Sequence, residues 1–296
     1  MIIVRLIGGL GNQLFQYTIG RILSIKNEVP LYLDTSAYDN PDSRSCKLYY
    51  YNIKAAVATK DKIENINNLY ESNALYAKFY RQAEKRFLPK HRWYYYKEDE
   101  YYKYEPALMK VSSPILLEGF WQHHRYYEHI YPEIWEELTL KEAYKKDNTG
   151  VLSEIEQNAA AVSIHIRRGD YVSDPNNLNW FGVMPVSYYY KAIDYINNKI
   201  KSPVYYVFSD DLNWVKRNLN IKGQTVYVDI EGGKDYLELD AMSKCRHNII
   251  ANSSFSWWGA FLNKSPGKIV VAPATWLANE EANKRVEIQF PGWIKM

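Results

Sequence analysis

The segment Ala161-Val162-Ser163-Ile164-His165-Ile166-Arg167-Arg168-Gly169-Asp170-Tyr171 starts as a buried strand and ends in two adjacent arginines, a glycine and an aspartate. Arginine is seldom buried unpaired, so such a strand end needs an anion over it, or a carboxylate such as Asp170 that pins the loop. Both readings are open. A diphosphate suits the first, because the planar guanidinium donates bidentately and stays charged at any working pH. A second group, Gly8-Gly9-Leu10-Gly11-Asn12-Gln13, opens a helix for which Asn12 is the expected N-cap. Backbone amides at a helix start favour a phosphate, and glycines let it approach; a plain tight turn is the alternative. Counted from Gly9, Leu14 stands where a dinucleotide fingerprint needs its third glycine, and no Lys-Ser/Thr pair makes a Walker loop. Asp34 lies 23 residues past Gly11, where a dinucleotide fold places its ribose acid, which keeps an NAD-dependent oxidoreductase as an alternative.

Two further groups occupy strand-to-helix junctions: Phe208-Ser209-Asp210-Asp211 and Asn252-Ser253-Ser254-Phe255-Ser256-Trp257-Trp258-Gly259. A carboxylate there can accept from a purine's N–H groups, and hydroxyls at a helix start can donate to phosphate. Against this, Asp210 or Asp211 could simply cap the helix from Leu212, and Trp257 and Trp258 could pack a core. The sequence holds no D-x-D triplet, H-E-x-x-H or Cys/His set, so no metal is expected and the arginine pair takes the neutralising role. It holds no G-x-S-x-G, which removes an α/β-hydrolase nucleophile.

The positioning elements follow from periodicity. Apolar Ile2 to Ile7, the helical pattern through Leu14, Phe15, Ile19, Ile22 and Leu23, and Leu31 to Leu33 predict a βαβ opening. A helix-like stretch spans Asp61 to Phe87, and Ile115 to Leu117 predicts a buried strand. Polar Glu142 to Gly150 is the expected linker. Strands at 161–166, 204–208, 225–228, 248–251 and 268–272 then alternate with helices at 186–200, 212–219, 235–245 and 254–263, the pattern of a parallel sheet covered on both faces. Ligand sites in such folds lie at the carboxyl ends of strands, where the groups above cluster.

Length and composition agree. A chain of 296 residues suits about two domains. Hydrophobic residues at 47% and charged ones at 24% exclude disordered and fibrous classes. The net charge of +3 provides no general attraction to nucleic acid or an anionic membrane, so any anion site must be local. Cys46 and Cys245 form no cluster and suit free thiols in a reducing compartment. With no transmembrane segment or signal-like stretch, the expected location is cytoplasmic. The 28 tyrosines suit amphipathic packing.

Taken in order and spacing, Ile7 to Tyr17, His165 to Tyr171, Phe208 to Asp211 and Asp240 to Cys245 followed by Ile250 to Leu262 resemble the α-1,2-fucosyltransferases of glycosyltransferase family 11, bacterial type. Glu118 to Tyr127 also resembles that family's Gly-Tyr-x-Gln segment. The resemblance implies an α/β GT-B fold, two Rossmann-like doubly wound domains facing across a cleft. The expected boundaries are 1–148 for the acceptor-side domain and 149–296 for the GDP-fucose-binding domain, whose last helix could pack back on the first.

It further implies inverting, metal-independent transfer of L-fucose from GDP-fucose to the 2-hydroxyl of a galactose-terminated glycan, in lipopolysaccharide or capsule assembly. No nucleic-acid partner is implied, and peripheral contact with a lipid-linked acceptor is compatible. By position, Arg167 resembles the arginine that binds the leaving diphosphate, with His165, Arg168 and Asp170 around it. Asp210 or Asp211 resembles a guanine-binding acid. Ser254, Phe255 and Ser256 resemble phosphate and base contacts, and Gly9, Gly11 and Asn12 a loop that closes on the donor. The general base is open among Asp170, Asp34, Glu118, His123 and His124. A non-catalytic carbohydrate-binding protein on a transferase scaffold is the remaining alternative.

Overall fold

The computed structural model describes all residues except 41–43, 71, 146–148 and 231. The chain forms two compact units, Met1–Thr139 and Leu140–Met296.

In the first unit, β1 (Ile2–Arg5), β2 (Leu31–Asp34), β3 (Ala56–Val57), β4 (Tyr95–Lys97) and β5 (Ile115–Glu118) form a parallel sheet in the order β3-β2-β1-β5-β4. β1 leads into α1 (Leu10–Lys26), as the βαβ reading requires. Asn12 is not its N-cap: the helix begins at Leu10 behind an extended Gly9, and Asn12 lies inside the first turn. The charged stretch expected as one helix is two, α2 (Lys60–Tyr70) and α3 (Leu75–Phe87). The unit ends in α4 (Pro132–Glu137), with Pro132 at a first-turn position where its missing N–H costs nothing.

The second unit opens with α5 (Glu142–Lys145), inside the stretch 142–150 expected as a linker, and α6 (Thr149–Gln157), which starts at the end of that stretch; residues 146–148 between them lie outside the described residues. Its sheet comprises β6 (Ala161–Ile166), β7 (Val204–Ser209), β8 (Gln224–Tyr227), β9 (His247–Ile249), β10 (Val270–Ala272) and β11 (Ile294–Lys295). All pairings are parallel, in the order β11-β10-β9-β6-β7-β8. Relabelled by succession this is 3-2-1-4-5-6, the doubly wound order, with its switch point between β6 and β9. The helices are α7 (Gly169–Ser173), α8 (Pro175–Phe181), α9 (Val186–Asn197), α10 (Leu212–Asn218), α11 (Asp235–Lys244), α12 (Ser254–Leu262) and α13 (Glu280–Asn283).

All six residues of β6 are buried because helices cover both faces and side chains alternate between them. Val162, Ile164 and Ile166 join Tyr205 and Val207 against Tyr189, Ile193 and Ile196 of α9 and Val215 of α10. On the opposite face Ala161, Tyr206 and Phe208 pack with Ile155 of α6 and Ala241 and Met242 of α11. One polar group sits behind the central strands: Asn248 Nδ2 donates to Ser163 Oγ at 2.7 Å and Met242 O at 2.9 Å, while Asn263 Nδ2 donates to Asn248 Oδ1 at 2.7 Å. Packing also claims Trp257 and Trp258, both fully buried on α12.

Candidate active site

The carboxyl end of β6 lies beside the switch point, and the His165–Asp170 segment leaves the sheet there. Arg167 is held by two carboxylates: NH2 meets Asp170 Oδ1 at 2.5 Å, and NH1 meets Asp210 Oδ2 at 2.7 Å. Arg168 uses both its backbone and its side chain. Its amide donates to Asp210 Oδ1 at 2.8 Å and its Nε to Asp211 Oδ2 at 3.3 Å, and the guanidinium lies 3.6 Å over the Trp214 ring. The register Ile166↔Ser209 is the reason for this meeting, since it brings the ends of β6 and β7 level.

Gly169 is required by close approach. A Cβ there would lie 2.6 Å from Asp210 Oδ2. Asp211 also caps α10, accepting from Trp214 N at 3.0 Å. Both the capping and the arginine-pairing readings of this acid therefore hold together. The two guanidiniums face three carboxylates, so the expected pairing with Asp170 is present and is joined by Asp210 and Asp211. What the site offers an anion is oriented donors rather than net charge.

Beneath the arginines His165 is 4% exposed, with a buried Nδ1 that has no hydrogen-bond partner among the described residues. Burial, helped by the charge of Arg167, pushes its pKa down to about 3, so the imidazole is neutral at working pH. Its ring lies 5.5 Å from Phe255, at the start of α12. Ser253 is the cap of that helix, accepting from Phe255 N at 3.3 Å, and Ser254 and Phe255 are half-buried beside it. Ser256 is not brought to the same surface: it is fully buried, and its hydroxyl lies near Ala251 O and Ser253 O at 3.4 and 3.3 Å, on the inward face of the helix.

Sequence reasoning named Tyr171 and Asn252 within their segments without a role, and did not name Glu238 or Trp214. Tyr171 stacks on Phe181 at 4.8 Å and donates to Asn252 O at 3.2 Å, tying the arginine loop to the loop before α12. Asn252 Nδ2 in turn holds Phe181 O and Trp276 O, at 2.9 and 3.1 Å. Glu238 on α11 has its pKa raised to about 8, first by burial and then by the charges of Asp235, Asp229 and Asp210. Trp214 had a legible signal, an aromatic three residues past an acid at a helix start. Glu238 had none.

In the first unit Gly8 adopts φ +81°, a conformation that favours glycine, and a Cβ on Gly9 would lie 2.6 Å from Arg44 NH1. Gly11 is buried in the first turn of α1. Asn12 Oδ1 accepts from Gln122 Nε2 at 2.8 Å, and fully buried Gln13 and Gln16 fasten the loop through Gly8 O and Ile7 N. Asp34 is fully buried, paired with Arg5 at 3.0 Å and bonded to Ser36, so it is structural and not a ribose ligand. Burial would raise the Glu118 pKa, but Lys97, Tyr95 and the charge of Arg5 hold it below the usual carboxylate value. His123 Nδ1 accepts from Arg125 N at 3.2 Å, and His124 Nδ1 meets Glu128 Oε1 at 2.8 Å.

The sequence profile of glycosyl transferase family 11 matches residues 53–296. The chain belongs to that family. It is 34% identical to the alpha-1,2-colitosyltransferase of Escherichia coli, over 96% of this chain and 94% of the relative. It is likewise 34% identical to the O-antigen biosynthesis glycosyltransferase WbnK of Escherichia coli, over 98% of both. The rat galactoside alpha-(1,2)-fucosyltransferase 2 is 33% identical over 46% of this chain and 40% of its own length.

Among solved structures, the fucosyltransferase NodZ from Bradyrhizobium superposes with a TM-score of 0.54 at 12% identity, over 91% of this chain and 94% of NodZ. The fold is GT-B, with two Rossmann-like units in one chain. This family 11 member is a glycosyltransferase, and the oxidoreductase alternative falls with that membership. Among the described residues no helix is long and apolar enough to cross a membrane.

Proposed function

We propose that this family 11 enzyme transfers L-fucose from GDP-fucose to the 2-hydroxyl of a galactose-terminated glycan, with inversion at the sugar and without a metal. The observation that carries the reading is the fixed arginine pair at the carboxyl end of β6, at the switch point of a doubly wound sheet. When the bond from fucose C1 to the diphosphate oxygen breaks, charge accumulates on GDP. Donors already oriented by Asp170, Asp210 and Asp211 stabilise that charge without reorganising. Because the carboxylates offset the guanidinium charge, the gain is largest where negative charge grows, which is what lowers a barrier rather than merely tightening binding.

In this reading Arg167 is the catalytic donor and Asp170 orients it. Arg168, Ser254 and Phe255 line the donor site, and neutral His165 supports it from below. Asp210 and Asp211 set the arginine fork. The sugar becomes oxocarbenium-like and the acceptor hydroxyl attacks the opposite face, as in inverting glycoside chemistry.

A colitosyl donor is the second reading, favoured by the similarity to the colitosyltransferase; colitose is fucose without its 3-hydroxyl. The deciding experiment incubates the enzyme with the GDP-linked form of each sugar and a panel of β-galactosides, then determines the linkage. An α-1,2-fucosyl galactoside supports the first reading. Transfer of colitose alone, or fucosylation at another hydroxyl, overturns it.

A further inference from the structure

Helix α3 is built inside out. A surface helix ordinarily buries its apolar stripe and turns charge to solvent. Here Leu75 is 85% exposed, Phe79 76%, Phe87 75% and Tyr76 62%. At helical spacing these four side chains share an arc of about 120°. The opposite, inward face carries small and polar groups: Ala77 and Glu84 are the buried residues. Glu84 accepts from the Tyr70 hydroxyl and from Tyr94 N at 3.2 Å, and Arg81 donates to Tyr70 O and Ser72 O at 2.8 and 2.9 Å. Polar contacts thus hold the helix in place with its large apolar side chains turned to water, an arrangement that costs stability unless something covers them.

The charges around the stripe identify the partner. Residues 75–92 contain six lysines and arginines against one acid, Glu84, which faces inward; Arg81 also turns inward and Lys90 pairs with Asp99 and Glu105, which leaves Lys78, Lys85, Arg86 and Arg92 for the surface. Lys78, Lys85 and Arg86 are exposed on α3, and Arg92 is exposed just beyond it. On the helical wheel Lys78 and Lys85 flank the stripe and Arg86 lies among the aromatic positions. A two-fold contact between copies would set these cations against themselves, because such an interface is isologous. A polyanionic, apolar-backed surface satisfies both features at once.

We propose that α3 docks on an anionic lipid surface, with Leu75, Tyr76, Phe79 and Phe87 entering the headgroup boundary and Lys78, Lys85 and Arg86 meeting lipid phosphates. The geometry is that of an interfacial helix, which lies on a membrane and does not cross it. The net charge of +3 gives the whole molecule little attraction, but this face lies within one screening length of itself and acts as a local patch. Docking here is independent of which sugar the enzyme transfers.

The test is flotation of the full-length chain with vesicles of phosphatidylcholine alone and with vesicles of phosphatidylcholine and phosphatidylglycerol. Binding is expected to the anionic vesicles and to weaken with added salt. The triple variant Lys78→Glu, Lys85→Glu, Arg86→Glu should lose on the order of a hundredfold in partitioning, at roughly fivefold per cation lost. The double variant Leu75→Ser, Phe79→Ser should lose about tenfold or more. Both should keep the wild-type melting temperature and transfer to a soluble acceptor, because neither touches the sheet ends. Three results would overturn the proposal: no flotation of the wild type, equal binding to neutral vesicles, or variants that bind as the wild type does. Sedimentation equilibrium closes the remaining route, since a wild-type dimer that Phe79→Ser converts to monomer would make a second copy the occupant.

Discussion

Alanine at position 169 should disable the arginine clamp while leaving the fold standing. The added Cβ would sit 2.6 Å from Asp210 Oδ2 and 3.1 Å from its Cγ, so the carboxylate must retreat by about 0.8 Å to reach the 3.4 Å of ordinary contact. It has little freedom to do so, because Arg167 NH1 holds one oxygen at 2.7 Å and Arg168 N the other at 2.8 Å. Losing one hydrogen bond to a charged group costs about 1.5 to 3 kcal/mol, and the lower figure applies to a pair that is partly exposed. For a unit of this size that is a fall of roughly 3 to 6 °C in melting temperature. Turnover should suffer more, on the order of 100-fold, because the misplaced guanidinium is the group that meets the developing charge. The assay is GDP release at saturating donor together with a thermal melt. Adding Gly169→Ala to Asp210→Ala should cost almost nothing further, since the obstructing carboxylate is then gone. A Gly169→Ala enzyme with wild-type turnover and melting temperature would refute the reasoning, as would strict additivity in the double variant.

Other outcomes follow from the same site. Arg167→Ala should lower kcat by about 100 to 1000-fold with an unchanged circular dichroism spectrum, and Arg167→Lys should recover only part of it because the fork is lost; near-normal turnover in the alanine variant removes the site assignment. Transfer should survive EDTA, and restoration by added manganese or magnesium after chelation would show the metal-free account to be wrong. His165 has a folded pKa of about 3 against 6.5 unfolded, so between those values the native state binds fewer protons. Its contribution to stability is therefore complete above pH 6.5 and shrinks as pH falls, by about 2 kcal/mol at pH 5. Urea unfolding at pH 7.5 and pH 5 should show His165→Phe losing that much less than the wild type; equal losses would mean the imidazole is not held neutral.

The second unit was legible because its strands are continuous apolar runs enclosed between helices. β6 and β7 read true at nearly every residue, and fourfold alternation of strand and helix left few topologies. The first unit was harder. β3 is two exposed residues with no periodicity to detect, and β4 is hidden in a tyrosine run whose alternating burial no composition reveals. The break between α2 and α3 carries no proline or glycine, so charge and spacing read straight through it. At the site, the arginine pair was visible from residue types alone. Its carboxylate partners were visible only as alternatives, because which acid meets which guanidinium depends on strand register. The Tyr171–Phe181 stack and the Glu238 carboxyl depend on tertiary proximity, which local pattern does not encode.

The amide network behind the central strands of the second sheet limits how this protein can change. Asn248, Ser163 and Asn263 are all buried, and Asn248 bonds to each of the other two. Altering any one strands its neighbours without partners, at about 1 to 3 kcal/mol for each orphaned group, and exchanging all three for apolar residues would still leave Met242 O and Ser265 N without the amides that bond them. Drift one substitution at a time is therefore costly, and the trio should be inherited together. A designer reshaping this enzyme for another sugar would treat those three positions as a single unit of choice.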